Sequence, residues 1–461
     1  MARSSSIFAC TSCGHESPKW HGRCPGCGEW NTLVEERASP LRRGGGAGGT
    51  AAGKAARPVP LREVAAGQVA RIGTGIAELD RVLGGGIVPG SLVLIGGSPG
   101  IGKSTLTLAA LANVAARAPV LYVTGEESAA QVRLRAERLS SDALAVPIIA
   151  ETDVSVVEAT LEAERPSVCV IDSVQTLHDP ALSSAAGSVA QVREATARLM
   201  RVAKQRRIAL FIVGHVTKDG TLAGPRVMEH LVDCVLQFEG ERERTYRTVR
   251  AMKNRFGSTN EVGVFEMRED GLIEVPDASA RFVGEATRAP GSVVLCAMEG
   301  SRPLLVEVQA LVAPSELVPP RRVANGIDRN RLALVLAVLG RQAGVAVGSA
   351  DVFVSVAGGV RVDEPGADLA VALAIASAAR GVTLGDGVKP LAAFGEVGLT
   401  GEVRHVAHPD RRLAEAQKFG LEVVLAPGSA TPTVKAAIRA ALRAGSDSAR
   451  DAEEPEIRRA A

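Results

Sequence analysis

Apolar residues along the chain fall into two rhythms. Short runs, apolar at almost every position, recur at 91–95 (SLVLI), 120–123 (VLYV), 167–171 (SVCVI) and 208–213 (IALFIV). Runs of that length with no polar alternation suit strands buried on both faces of a parallel sheet. The stretches between them space their apolar residues as helices do, notably LTLAALANVAARA from Leu106 and VAQVREATARLMRVAKQRR over 189–207. Strand, helix and strand in alternation predict an α/β core. Past Gly291 the order changes. Residues 291–312 read as paired strands around the turn Gly300-Ser-Arg-Pro303, and Asp328 heads an apolar helix. A strand at 351–356, a helix at 368–380, strands within 391–406 and a helix at 410–419 follow, which predicts a second, α+β domain. No apolar run reaches the length of a membrane span.

The amphipathic rhythm is missing from the first thirty or so residues, where cysteine takes over. Cys10-Thr-Ser-Cys13 and Cys24-Pro-Gly-Cys27 are two C-x-x-C knuckles, each followed by glycine. That spacing wraps one Zn²⁺ tetrahedrally, and four thiolates leave no open position, so the site is expected to be structural. Nothing in this segment could build a core alone, so its folding should depend on the metal. Trp20 and Trp30 are expected to cover this ribbon, with a contact to a partner or base as the alternative. From Arg37 to Arg62 the chain carries glycines, alanines, three prolines and basic residues with no acid at all, the composition of a flexible basic linker.

With 461 residues the chain exceeds one ordinary core, and 46% hydrophobic with 23% charged residues is globular. Fifty-three lysines and arginines against 51 acids leave +2, so any nucleic-acid role rests on local patches. Aromatic residues at 3% limit base stacking. Without a secretory leader pattern the chain is expected in the cytoplasm, where seven cysteines point to metal and not to disulfides.

The chemistry concentrates at the ends of the apolar runs. Gly97-Ser98-Pro99-Gly100-Ile101-Gly102-Lys103-Ser104-Thr105 fits the spacing G-x-x-x-x-G-K-[ST] between a strand and a helix. Glycines turn backbone N–H groups toward a phosphate chain, Lys103 reaches the outer phosphates and Ser104 ligates Mg²⁺. ATP and Mg²⁺ are therefore the expected cofactors. After the second strand come Glu126 and Glu127, of which Glu126 is the candidate for activating water. The third ends in Asp172, placed to hold Mg²⁺ through its water shell, and the fourth leads to His215, placed to sense a terminal phosphate. Lys253 and Arg255 lie two apart in a strand-like segment and can point to one face, with Asn254 opposite. They could supply charge to a nucleotide held by a neighbouring subunit or grip DNA phosphates.

Taken together, the run 73–105, GEES at 125–128, VIDS at 170–173, GHVTKDG at 214–220 and KNRFG at 253–257 resemble the bacterial RadA (Sms) family of DNA-repair proteins, relatives of RecA. The resemblance implies a RecA-like P-loop ATPase core with an N-terminal Cys₄ ribbon. It also implies assembly into a ring, expected to be hexameric, that moves on single-stranded DNA and branch-migrates recombination intermediates alongside RecA, with no membrane role. The C-terminal domain resembles the Lon protease fold with its dyad missing. Pro365-Gly366-Ala367-Asp368 carries glycine at the nucleophile's place, and the lysine's place falls at Asp410. Arg321, Arg322, Arg329 and Arg331 form a candidate basic patch there. The expected layout is a ribbon at 1–36, linker 37–62, ATPase core 63–275, joint 276–290, Lon-like domain 291–445 and a frayed tail 446–461. Two rivals share these modules: an ATP-dependent protease, and a nucleotide-switched binding protein of the circadian-clock ATPase type.

Overall fold

The computed structural model describes residues 6–10, 15–26, 28–30, 32–37, 60, 63, 70–182, 184–214, 227–240, 246–284, 286–385, 389–421, 424–428 and 431–443. Cys13, Cys27, His215, nearly all of the expected linker and the tail lie outside them. The chain divides into two compact units: 1–239 with 249–259 and 267–273, and 240–248 with 260–266 and 274–461.

In the first unit, the N-terminal ribbon pairs β1 (Ser6–Cys10) antiparallel with β2 (Glu16–Ser17) and β3 (Leu33–Arg37). Its buried apolar cluster is Cys10, Cys24 and Leu33 with Phe8 alongside, far too small to offset the entropy of ordering the module.

The α/β core follows α1 (Ala77–Leu83) in strict alternation: β4 (Leu92–Gly97), α2 (Lys103–Ala115), β5 (Val120–Thr124), α3 (Ala129–Leu139), β6 (Ile148–Ala150), α4 (Val154–Glu164), β7 (Val168–Asp172), α5 (Val189–Arg206), β8 (Ala209–Val213), α6 (Val227–Leu231) and β9 (Cys234–Glu239). The order β9-β4-β8-β7-β5-β6 is parallel throughout. Every residue of β4, β5, β7 and β8 is buried, as the unbroken apolar runs require of a sheet covered on both faces. Beyond β9 the sheet continues through β10 (Tyr246–Asn254), β11 (Val262–Arg268) and β12 (Gly271–Glu274).

One boundary differs from the sequence reading in a way that matters. The helix after the loop begins at Lys103, three residues before the apolar pattern starts. Lys103, Ser104 and Thr105 are thus its first turn, where backbone N–H groups lack helical partners and face the loop.

In the second unit, α7 (Ala278–Gly284) lies within the stretch read as a joint. It is followed by β13 (Ser292–Glu299), β14 (Arg302–Pro314), β15 (Arg322–Asn325), α8 (Arg329–Val338), β16 (Ala350–Val356), α9 (Asp368–Arg380), β17 (Ala392–Ala393), β18 (Glu396–Val397), β19 (Val403–Arg404), α10 (Pro409–Lys418) and β20 (Val424–Leu425). A mixed six-stranded sheet runs β15-β16-β14-β13-β17-β20. The Asp328 side chain caps α8 by accepting from the Arg331 backbone N–H at 2.9 Å. Helix α9 is buried along its first ten residues, Asp368 included, and forms the centre of this unit's core.

Candidate nucleotide site and its opposite edge

The phosphate-type loop leaves the C-terminal end of β4. Gly100 and Gly102 have φ of 75° and 113°, values that favour glycine. At Gly102 a Cβ would lie 2.6 Å from Leu272 Cδ1, so a side chain there would have to displace that leucine as well as adopt a left-handed backbone. Lys103 is 4% exposed and its Nζ donates to the carbonyls of Gly97 at 2.8 Å and Ser98 at 3.0 Å. Burial pulls its pKa down, while the charges of Asp172 and Glu126 pull it back up. The ammonium therefore sits at the loop's rim, between backbone oxygens and two carboxylates.

Those carboxylates are delivered by the neighbouring strands. In the β5–β7 register Thr124 pairs with Asp172, so residues just beyond Thr124 share the edge with Asp172. Tyr122, fully buried in β5, donates its hydroxyl to Asp172 Oδ2 at 2.5 Å. Burial, reinforced by the Asp172 charge, holds the phenol well above its usual pKa, so it stays a donor. Glu126 Oε1 accepts from the Ser173 hydroxyl. Glu127 turns the other way and pairs with Arg135 at 2.5 Å. The two adjacent acids are thus separated: Glu126 faces Asp172 and Lys103, whereas Glu127 is tied to α3. Lysine, two carboxylates, a serine at a helix start and inward-turned glycines fit a phosphate chain with a divalent cation.

KNRFG lies at the other end of the same sheet. The Arg255 backbone N–H donates to Asp233 O at 3.0 Å, and Asp233 N–H donates to Leu92 O at 3.0 Å. Leu92 opens β4, whose far end is Gly97. At about 3.3 Å per residue, the length of β4 puts about 17 Å between that end and the subunit's own loop. Lys253 Nζ donates to the carbonyls of Glu229 at 2.5 Å and Val232 at 2.8 Å. Arg255 pairs with Asp233 at 3.2 Å. Asn254 Nδ2 points away, to Val82 O at 3.2 Å, which matches the expected division of faces. Burial lowers the pKa of Lys253, helped by the neighbouring Arg255.

In the ribbon, Cys10 and Cys24 are buried, and the Gly26 N–H donates to Cys24 Sγ at 3.3 Å. A backbone donor aimed at the sulfur suits a thiolate knuckle, so the described half of the set fits a metal. Trp20 and Trp30 are 55% and 70% exposed, and both indoles lie against Gly22 of the ribbon.

In the second unit the four arginines do not act alike. Arg331 makes a two-pronged pair with Asp368, Arg322 donates to Val347 O, and Arg321 lies 3.9 Å from Asp351. Arg329 is exposed. At Gly366 a Cβ would meet Glu364 Oε2 at 3.0 Å and an Arg412 guanidinium nitrogen at 3.1 Å. Arg412, 1% exposed, is held by Glu364 at 2.5 and 2.8 Å and by Cys296 O at 2.7 Å. Asp410 is exposed in the first turn of α10. Arg412 is the cation facing Gly366.

Sequence reasoning missed Tyr122, Ser173, Asp233 and Arg412. Tyr122 had a signal, being a hydroxyl-bearing aromatic in the middle of an otherwise aliphatic run, Val120–Val123. The others are ordinary in sequence and acquire meaning only through their partners.

A parallel sheet with a lysine-bearing phosphate loop, and an aspartate at the tip of another strand on the same edge, defines a P-loop ATPase domain. Residues 56–221 match the AAA domain family, and residues 8–35 the rubredoxin metal binding domain family. The chain is 53% identical over 428 residues to the DNA repair protein RadA of Pseudomonas aeruginosa, covering 93% of this chain and 94% of that protein. It is 48% identical over 434 residues to the DNA repair protein RadA of Bacillus subtilis, with coverage of 93% and 94%. The chain belongs to the RadA family, as its motifs had implied.

Proposed function

We propose that this chain is a DNA-repair ATPase that works as a ring, hexameric in our reading. In it, one subunit's loop is completed by the next subunit's Lys253 and Arg255. The observation that carries this reading is the separation of the two sets of groups on opposite edges of one sheet. Cations about 17 Å from their own loop cannot neutralise its phosphates, but in a head-to-tail ring they meet the neighbour's. Phosphoryl transfer needs positioning and charge compensation more than covalent chemistry, so parts dispersed over two subunits suffice.

Within one site, bound Mg²⁺–ATP supplies the reacting phosphates and the metal's charge. Lys103 binds the outer phosphates, Ser104 and Asp172 hold Mg²⁺, and Glu126 orients and deprotonates the attacking water. His215 is proposed as the phosphate sensor. The ribbon holds Zn²⁺ on Cys10, Cys13, Cys24 and Cys27. The C-terminal unit acts as a ring-forming scaffold, a reading supported by a buried ion pair at the place a serine nucleophile would need. Its substrate is single-stranded and branched DNA, handled alongside RecA in the cytoplasm by ATP-driven branch migration.

A strand-migration assay on a three-stranded intermediate, with and without ATP and RecA, tests the motor directly. Extension of the heteroduplex should require ATP. Movement indifferent to ATP would overturn the motor, and hydrolysis indifferent to DNA would favour the nucleotide switch.

A further inference from the structure

Asp233 joins three elements that the proposed chemistry needs to keep in register. It lies between α6 and β9, is 3% exposed, and its carboxylate meets donors from three directions. Oδ2 accepts from the Leu92 backbone N–H at 3.1 Å and pairs with Lys204 of α5, while Oδ1 pairs with Arg255. Its own backbone adds two bonds, from Arg255 N–H and to Leu92 O. A carboxylate so deeply buried is tolerable only when paired and hydrogen-bonded, and one held on this many sides is a fixed point. Lys253 is anchored at the same turn, through the carbonyls of Glu229 and Val232. The Arg255 side chain is nevertheless 56% exposed: one edge of its guanidinium is pinned while the rest faces outward.

We propose that Asp233 is a positioning residue for the Lys253–Arg255 pair, presenting both cations preformed to the nucleotide of the neighbouring subunit. It touches neither nucleotide nor DNA. Its carboxylate sets where the Arg255 guanidinium stands, and Leu92 ties that position to the first residue of the strand that ends in the subunit's own loop. The proposal rests on the trans reading above.

The test is complementation between inactive variants. Asp233→Asn keeps the side chain's shape and an acceptor for Leu92 N–H but removes the charge that holds Arg255. Alone it should lose kcat by on the order of a hundredfold, the scale of a misplacement of about 1 Å. KM for ATP and the affinity for a fluorescent ATP analogue should stay unchanged, and adding Arg255→Ala should cost less than about twofold more. Mixed under subunit exchange with Lys103→Ala, whose cations are intact, it should recover up to about a quarter of the wild-type rate. That is the share of interfaces pairing an intact loop with intact cations in a random ring. Arg255→Ala mixed with Lys103→Ala is the control. Recovery in both mixtures supports the proposal. Recovery in the control alone overturns it and leaves the trans reading standing, whereas recovery in neither overturns both. Unchanged or faster turnover of Asp233→Asn by itself also overturns it, because the carboxylate would then be idle or restraining Arg255. Should Asp233→Asn not fold, Asp233→Ser is put through the same mixtures and judged by the same outcomes.

Discussion

The nucleotide site of the first unit and the core of the second each set acids beside a cation, and they treat them in opposite ways. In the first, Asp172 and Glu126 accept from the neutral hydroxyls of Tyr122 and Ser173, and Lys103 donates to backbone carbonyls. In the second, Arg412 grips Glu364 with two nitrogens and Arg331 grips Asp368 likewise. Neutral partners orient a charge without cancelling it, so it remains usable by a phosphate or a metal ion. A two-pronged ion pair cancels both charges and gives geometry and rigidity in return. Burial of an ionisable group is therefore a poor guide to chemistry by itself; the identity of its partner separates a working site from a filled one.

The largest effect that could break this contrast is at Lys103. Lys103→Ala should leave a folded chain with ATP hydrolysis lowered by about a thousandfold or more, the scale of losing a transition-state cation in phosphoryl transfer. Near-normal turnover, measured by phosphate release, would remove the nucleotide site. Second comes Lys253→Ala, which should lose turnover or productive movement on DNA by on the order of a hundredfold while the nucleotide still binds. Loss of nucleotide binding in that variant would show that these cations serve their own loop. Arg412→Met should act on stability alone. It strands Glu364 and should destabilise the second unit by about 3–5 kcal/mol, read as an earlier thermal transition with the nucleotide affinity intact.

A smaller effect sharpens the neutral-partner side. Tyr122→Phe removes the hydroxyl that orients Asp172 and should raise the Mg²⁺ concentration needed for half-maximal hydrolysis by about tenfold. An unchanged Mg²⁺ requirement would make that hydrogen bond structural only. The smallest concerns buried thiols. Burial pushes Cys234 and Cys296 up to about 12 and raises Cys169 as well. At pH 8 these three should resist alkylation in the folded protein and react fully after denaturation. Rapid labelling of any of them in the native state, located by mass spectrometry, would show that the cores open more readily than their packing implies.

What was legible in the sequence was whatever depends on neighbours along the chain. Gly97 to Ser104 carries its own geometry because each residue acts on the next through backbone conformation. Strands such as β4 and β8 announce themselves because burial on both faces leaves no room for a polar side chain. The RadA family resemblance rested on the same kind of contiguous motif. The choice between Glu126 and Glu127 was not legible, because adjacent residues after a strand look alike until Ser173 and Arg135 are brought in from other elements. Nor was the fate of the basic residues at 321–331, of which Arg322 and Arg331 are held by partners in their own unit while Arg321 and Arg329 stay exposed.

Sequence by itself thus determined the chemistry available: a phosphate loop, paired acids, a cysteine ribbon, two separated cations, and a Lon-like segment without its serine. Only the tertiary structure decided what that chemistry is set against. Strand order places Arg255 beside Asp233 and Leu92, and so at the far end of β4 from Lys103. The physical reason is that a loop's shape is set by local dihedral angles. The distance between two edges of a sheet is set by which strands pair and in what register, a property of contacts between residues more than a hundred positions apart.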